Sequence, residues 1–379
     1  MSRPSLLDHF SALDDPRQRG KALYPLPEIM LLILCATLSG AEDFVETQAW
    51  GSTKLPFLRG ILPFKHGILS HDTLGDEMNA LDGALFSEAF AAWVDGLREA
   101  EPDIVAIDGK TSRRAHGRAH AGGHPLHVVS AWATRQRLVL GQEATSEKSN
   151  EISAIPLLLE RLHLTGALVT IDAMGIQTKI AKCILARGAD YLLALKDNQK
   201  SLATEVALFF DTTERRGPEQ LSPVHTTTDG DHGRIETRSH WVSTSVDWLQ
   251  PDRSAPGEPR FPGLKAVAMV EARVERDGKT TTSRRFFLSS LALDPPLLAR
   301  AVRAHWGIEN RLHWVLDVAF HDDLMRLRTD QGPKNMATIK HMAMNLIRAA
   351  PGKHSLKTKR KAAGWDQNYL KTIITQAGK

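Results

Sequence analysis

Cysteine is nearly missing: Cys35 and Cys183 are the only two in 379 residues. That excludes a disulfide framework and a cysteine-rich zinc site, and both lie in apolar helical patterns, as reduced core residues of a cytosolic protein do. Long apolar runs are missing as well. The most apolar stretch, residues 29–38 (IMLLILCATL), is about half of a membrane span and is followed by Glu42 and Asp43, so it reads as a buried helix. The opening MSRPSLLDHF has no apolar core and no cleavage site, so secretion is not expected. There is no internal repeat, no biased tract and little net charge, +4 in all. What remains is an ordinary globular composition, long enough for two domains or for one large domain with an insertion. Only the end is uneven: residues 348–379 hold eight Lys/Arg against one acid, Asp366. Such a tail serves phosphate contact or is simply a solvated, partly disordered end.

The first 95 or so residues read as helices. Apolar spacing near 3.6 predicts helices over 27–37 and 85–97, and ILSHDTLGDEMNAL offers Ser70 or Asp72 as an N-cap. From Ile104 the pattern changes. VAID reads as a strand ending at Asp108, followed by a basic, Gly/His-rich connection. LHVVSAWAT and RLVLGQEAT follow as a hairpin. NEISAIPLLLERL is helical, ALVTID a strand, IQTKIAKCILARG a helix closed by Gly188, and YLLAL another strand. This order predicts an α/β fold built on a mixed sheet. Residues 211 to about 292 interrupt it as a Thr/Val-rich, helix-poor insertion, after which Asp294, Pro295 and Pro296 open a long helix over 297–320. The expected organisation is a helical domain over 1–98, a catalytic domain over 99–350 carrying the insertion, and a basic tail over 351–379.

Three acids stand out. Asp108 and Asp172 each end an apolar strand, and Glu309 falls, at about 100° per residue, inside the stripe formed by Leu298, Val302, Leu312 and Leu316. Each has a plain alternative: an Asx turn before Gly109, an N-cap, and an ion pair with His305 or an arginine of the insertion. Adjacent strands bring their ends within about 5 to 10 Å. A helix packed on the sheet can add a third carboxylate, giving an oxygen-only site suited to Mg²⁺ or Mn²⁺. Asp197 is the nearest rival. His305, Glu309 and His313 at i, i+4, i+8 faintly resemble a zinc pattern, but eight residues span about 12 Å, too far for one ion. His116, His120, His124 and His127 read as surface histidines.

The motifs VAIDGKTSRR, LHVVSAWA, EKSNEISAIPLLLERL, VTIDAMGIQ, ADYLLALKDNQ, HGRIETR and RAHWGIENRLHWVLDVAFHDD resemble, in order, the H-repeat-associated family of bacterial insertion-sequence transposases, of the DDE superfamily. The N-terminal LLDHFSALDDPRQRGKALYPLPEIMLLILCA resembles the helical domain preceding the core in that family. The resemblance implies a ribonuclease-H-like catalytic core with Asp108, Asp172 and Glu309 as its triad, holding two Mg²⁺ or Mn²⁺ ions. It implies metal-dependent strand cleavage at insertion-sequence ends and 3′-OH strand transfer into target DNA by a bacterial, cytoplasmic protein, nucleoid-associated when bound to DNA and a homodimer there. Where the family has glycine this chain has Asp197, which argues against Asp197 as a ligand. Tyr, Arg and Lys often surround the glutamate in related transposases. Here Val302, His305 and Leu316 stand instead, and those roles are not transferred.

Candidate phosphate contacts are Lys110, Arg113, Arg114 and Arg118 just after Asp108, with Lys196, Arg234 and Arg238 farther along. Trp306 and Trp314 are expected in the core rather than in base stacking. Two other classes stay open: an inactive or domesticated DNA-binding relative, and a Mg²⁺-dependent phosphatase of small molecules. The second leaves the basic tail and helical N-domain unexplained.

Overall fold

The computed structural model describes residues 5–17, 22–116, 125–145, 151–196, 199–216, 218–231, 233–249 and 261–375. Six helices come first: α1 (Leu6–Ser11), α2 (Leu26–Leu38), α3 (Phe44–Thr53), α4 (Leu55–Arg59), α5 (His71–Ala80) and α6 (Gly83–Leu97). Strands β1 (Ile104–His116), β2 (Pro125–Ala133) and β3 (Leu138–Thr145) follow. Then α7 (Glu151–Glu160), β4 (Leu168–Ile171), α8 (Thr178–Ala186), β5 (Asp190–Leu195) and α9 (Lys200–Arg216) alternate. The strands β6 (His225–Asp231), β7 (Arg234–Ser243), β8 (Ala266–Arg276) and β9 (Lys279–Ser289) make up the β-rich region, which begins only after α9. The chain ends in helices α10 (Pro295–His305), α11 (Trp314–Phe320), α12 (Gly332–Ala349), α13 (Leu356–Trp365) and α14 (Gln367–Thr375). The fold is α/β, a large mixed sheet flanked by helices, as the order of elements in the sequence predicted. No described helix is long and apolar enough to cross a membrane.

The chain divides into two compact units, Met1–Ala100 with Gly109–Asn150 and Glu309–Lys379, and Glu101–Asp108 with Glu151–Ile308. In the first unit α2 is apolar all round and buried along its length, as residues 29–38 predicted. Its one buried acid, Glu28, accepts the Phe64 backbone N–H at 2.8 Å. Ser70 is the N-cap of α5 and takes the Thr73 N–H. The expected hairpin is β2 and β3, antiparallel, with a register shift at Ala131/Trp132. The buried helix α12 carries polar residues, and two asparagines among them bind backbone groups of neighbouring elements. Asn345 pairs with both the N–H and the carbonyl of Val139 at 2.9 Å, and Asn335 donates to the carbonyls of Met78 and Leu81.

In the second unit the strand order is β1-β4-β5-β9-β8-β7-β6. The pairs β1–β4 and β4–β5 are parallel, whereas β9 runs antiparallel to β5 and continues into an antiparallel meander. The β-rich insertion is therefore an extension of the same sheet. Sequence patterning cannot show this, because the β5–β9 pairing joins residues about 100 apart in the chain. The apolar face of α10, with Leu298, Ala301 and Val302, packs on Val242, Ala266, Ala268, Val270 and Phe287.

The basic tail is not a solvated end. It forms α13 and α14, and two of its cations, Lys359 and Arg360, are buried. The Arg360 guanidinium donates to the carbonyls of Thr37, Ala41 and Ala319 and lies over the Phe320 ring. Gly364 comes so close to the backbone of Ser39 that a Cβ there would sit 2.7 Å from its carbonyl oxygen. Replacing Arg360 by Ala strands buried carbonyls and should lower unfolding stability by about 3 kcal/mol, read as a shifted urea midpoint with unchanged slope. An unshifted midpoint would mean the tail does not brace the first unit.

Candidate functional site

The parallel register of β1 and β4 runs Ile104↔Leu168, Val105↔Val169, Ala106↔Thr170, Ile107↔Ile171, so the next residue on each strand is an aspartate. Asp108 and Asp172 stand at the C-terminal end of the paired run, about one strand spacing, roughly 4.8 Å, apart in backbone. Such strand ends are where open α/β sheets place their ligand sites. Asp172 begins a short 3-10 turn, Ala173–Gly175, and its Oδ1 accepts the Met174 N–H at 3.0 Å. The cap expected as an alternative is thus present, and the second carboxylate oxygen is left for a ligand. Gly175 is required there: a Cβ would lie 2.3 Å from Cγ2 of Ile171. Asp108 differs from expectation. The pairing with β4 stops there, but β1 itself continues to His116. The Asx turn is absent, and the basic residues that follow are strand residues.

The third acid also differs. The helix expected over 297–320 is interrupted: α10 stops at His305, and a π-helical turn, Glu309–His313, precedes α11. A π turn adds a residue to the ring, so a projection at about 100° per residue fails beyond it. Leu298, Val302, Leu312 and Leu316 are buried as predicted, but the Glu309 side chain is 51% exposed rather than buried among them. Its neighbour is His313, buried, with Nδ1 3.3 Å from Oε2 of Glu309. The i+4 spacing was visible in the sequence, though only as part of a discounted zinc pattern. His305 instead has Nδ1 3.0 Å from the Thr170 hydroxyl on β4. Asp108 and Glu309 stand at two of the points where the chain passes from one unit to the other.

Beyond Asp108, β1 enters an ionic network of the first unit. Lys110 Nζ lies 2.7 Å from Asp317, 3.2 Å from Asp323 and 3.4 Å from Asp322. Two residues on, the Ser112 hydroxyl donates to Asp322 Oδ2 at 2.6 Å, and Lys340 Nζ meets Oδ1 at 2.9 Å. Burial alone would push the Lys110 ammonium down, but Asp322, Asp317 and Asp323 outweigh it and raise its pKa. Burial alone would raise Asp322, yet Lys340, Lys110 and the Ser112 hydroxyl hold its carboxyl well below the usual range. His341, in the same core and stacked on Phe90, is pushed by burial down to about 3 and so stays neutral.

The other candidate cations differ in commitment. Arg113 is exposed with Asp323 at 3.3 Å, Arg114 is exposed, and Lys196 is exposed just past β5. Arg234 pairs with Glu236 at 2.7 Å, and Arg238 bridges Asp229 and Glu236, each at 2.8 Å. Three expectations change. Trp306 and Trp314 are not core residues but 49% and 60% exposed, and His127 is not a surface histidine but buried, 2.8 Å from the Thr111 hydroxyl. Arg118, His120, His124 and Asp197 lie outside the described residues.

Comparison with known proteins agrees with the motifs. Residues 99–346 match the family model described as transposase DDE domain, and residues 7–94 match the DDE_Tnp_1-associated model. The H repeat-associated protein YhhI of Escherichia coli K12 is 35% identical over 100% of both chains. YncI of Escherichia coli O157:H7 is 37% identical over 99% of this chain and 95% of that one. The inactive transposase YbfQ of Escherichia coli K12 is 39% identical over 20% of this chain and 88% of that one. A cryo-EM structure of the piggyBac transposase synaptic complex with hairpin DNA is similar with a TM-score of 0.42 at 10% identity, over 95% of this chain and 75% of that one.

The network makes a pH prediction. A carboxyl depressed in the folded state adds stability that is present above its unfolded value, near 3.8, and lost as pH falls through the folded one. Asp322→Asn leaves Lys110 and Lys340 short of a buried counter-charge and should cost about 3 to 5 kcal/mol at neutral pH. It should also flatten the loss of stability below about pH 4. Denaturation curves at several pH values check both, and an acid limb identical to wild type would contradict the assignment.

Proposed function

Because the chain belongs to the transposases with a DDE domain, we propose that it cuts DNA strands at the ends of an insertion sequence and joins the freed 3′-OH to target DNA. The observation that carries this reading is the β1–β4 register, which leads two parallel, buried strand segments into Asp108 and Asp172. Glu309, on a π-helical turn and exposed, supplies the third carboxylate. Three carboxylates without a thiol form a hard oxygen donor set, which fits Mg²⁺ or Mn²⁺ and has enough oxygens for two ions. Bound there, such ions supply Lewis acidity toward water and the scissile phosphate.

The chain's own residues hold and orient. The Met174 N–H fixes one oxygen of Asp172, so the carboxylate keeps one direction while its other oxygen binds. His313, buried beside Glu309, restrains that side chain from the neighbouring turn. In cleavage a water oxygen bonds to phosphorus in line while the bond to the 3′ oxygen breaks, and the departing oxygen takes a proton to become the 3′-OH. In strand transfer that 3′-OH replaces the water and displaces a 3′ oxygen of the target strand. Arg113, Arg114 and Lys196 are exposed cations able to reach phosphates. Arg234 and Arg238 are proposed for the same role by exchanging carboxylate partners, whereas Lys110, enclosed by Asp317, Asp322 and Asp323, serves the internal network instead. Bringing two element ends together calls for two copies, a homodimer on DNA.

The test uses a duplex carrying the inverted repeat that flanks the coding region. Asp108→Asn, Asp172→Asn and Glu309→Gln should each abolish Mg²⁺-dependent nicking while gel-shift binding without metal is retained. Near-normal nicking by any one of the three would falsify the triad. Chelation should stop nicking in the wild type, and Mn²⁺ should restore it. For phosphate contacts, Arg113→Ala and Arg114→Ala should each lower the salt slope of binding by about one. An unchanged slope would remove them from the interface.

A further inference from the structure

We infer that Trp306 is a stacking platform for one nucleobase of the DNA strand bound beside Asp172, an inference that rests on the DNA-cutting reading above. Three observations within the second unit carry it. The first is exposure where the chain could have buried the ring. Trp93 and Trp132 are buried at 1% and 0%, whereas Trp306, at the end of α10, keeps 49% of its surface in water. The pattern is local, since the helix before it buries Leu298, Ala301 and Val302 on the sheet.

The second is position. Trp306 follows His305, whose Nδ1 lies 3.0 Å from the Thr170 hydroxyl. Thr170 precedes Asp172 by two residues on β4 and its extended exit, so both project from the same face of the sheet. The indole is thereby tied to the face on which the catalytic aspartate presents its oxygen.

The third is chemistry. The indole is oriented by His305, edge-on with ring centroids 6.3 Å apart, and by the Arg285 guanidinium 5.3 Å from its ring centroid. Arg285 is itself exposed. A pre-oriented ring with a cation over one face offers its other face to a base and the cation to a phosphate, the two groups a nucleotide brings together. A protein partner would instead want an apolar neighbour, and here the neighbour is Arg285. Stacking tolerates any base, so the platform holds one nucleotide next to the cut without reading its identity.

The test places 2-aminopurine at successive positions around the cut in the flanking-repeat duplex and measures fluorescence on binding without metal. Wild type and Trp306→Phe should quench the probe strongly at one position, and Trp306→Ala should leave that position bright. Nicking with Mg²⁺ should fall roughly ten- to hundredfold in Trp306→Ala and much less in Trp306→Phe, which also separates stacking from misfolding. Equal quenching in the wild type and the Ala variant, or no quenched position in the wild type, overturns the platform. The two ideas fail separately. Wild type that quenches but never nicks keeps the platform and loses the nuclease, and normal nicking without quenching does the reverse.

Discussion

The register between β1 and β4 is the constraint on which the proposed site depends. Four residue pairs, Ile104 to Ile107 against Leu168 to Ile171, decide that Asp108 and Asp172 leave their strands side by side. A slip of one residue would turn one aspartate to the opposite face and separate the pair. Three features resist that slip. Val105, Ala106 and Ile107 are essentially without solvent exposure, as are Val169 and Ile171 opposite, so each slipped register would have to repack a closed core. On the far side β5 repeats the parallel pairing with β4 over Leu168–Ile171, which pins β4 from both edges. Gly175 then lets the turn after Asp172 fold back onto Ile171, where any side chain would collide. The strand ends that carry the two carboxylates are thus positioned by apolar contacts and backbone geometry.

The cations around them tell a different story about what composition can reveal. Counting Lys and Arg after Asp108 suggests a basic strip facing DNA, but a count carries no partners. Lys110 is enclosed by Asp317, Asp322 and Asp323, and Arg360 spends its donors on three carbonyls. Arg360 is buried and Lys110 partly so, and a cation withdrawn from water is tolerated only when its donors are matched. Arg113, one residue out of phase with Lys110 and Ser112, emerges exposed, while Ser112 turns in to Asp322. One basic run along β1 is therefore divided between an internal clamp at Lys110 and exposed cations at Arg113 and Arg114. The division became visible only once the run was seen to be a strand.

Much of the fold was legible because its elements obey simple periods. The hairpin, α7, β4, α8 and β5 fall where alternation and 3.6-residue spacing put them, and Gly188 closes α8 with φ +69. The misses share a cause: each involves a departure from regular period. β1 looked short because Gly109 and a run of polar residues mask its last half. The helix around Glu309 looked continuous because a π turn leaves the apolar stripe of Leu312 and Leu316 in place while rotating the residues before it. That is why a stripe argument could be right about the leucines and wrong about the burial of the glutamate. The tryptophans were misjudged because large aromatics are normally core residues, and nothing in spacing alone marks an indole left in water.

Thr170 draws these threads together. It is the polar member of LVTI, a strand buried on both faces, and the residue is 2% exposed. Buried hydroxyls are kept where they have a partner, and here the partner is the imidazole of His305. The bond joins the middle of the strand that ends in Asp172 to the end of α10, immediately before the chain breaks helical phase toward Glu309. A valine would fill the same space and satisfy the core, so packing does not explain the threonine. What it adds is direction. With Nδ1 of His305 held by the hydroxyl, the imidazole has a fixed plane, and the end of α10 has a fixed rotation above β4. The geometry of the helix end is thereby anchored to the strand that leads into Asp172.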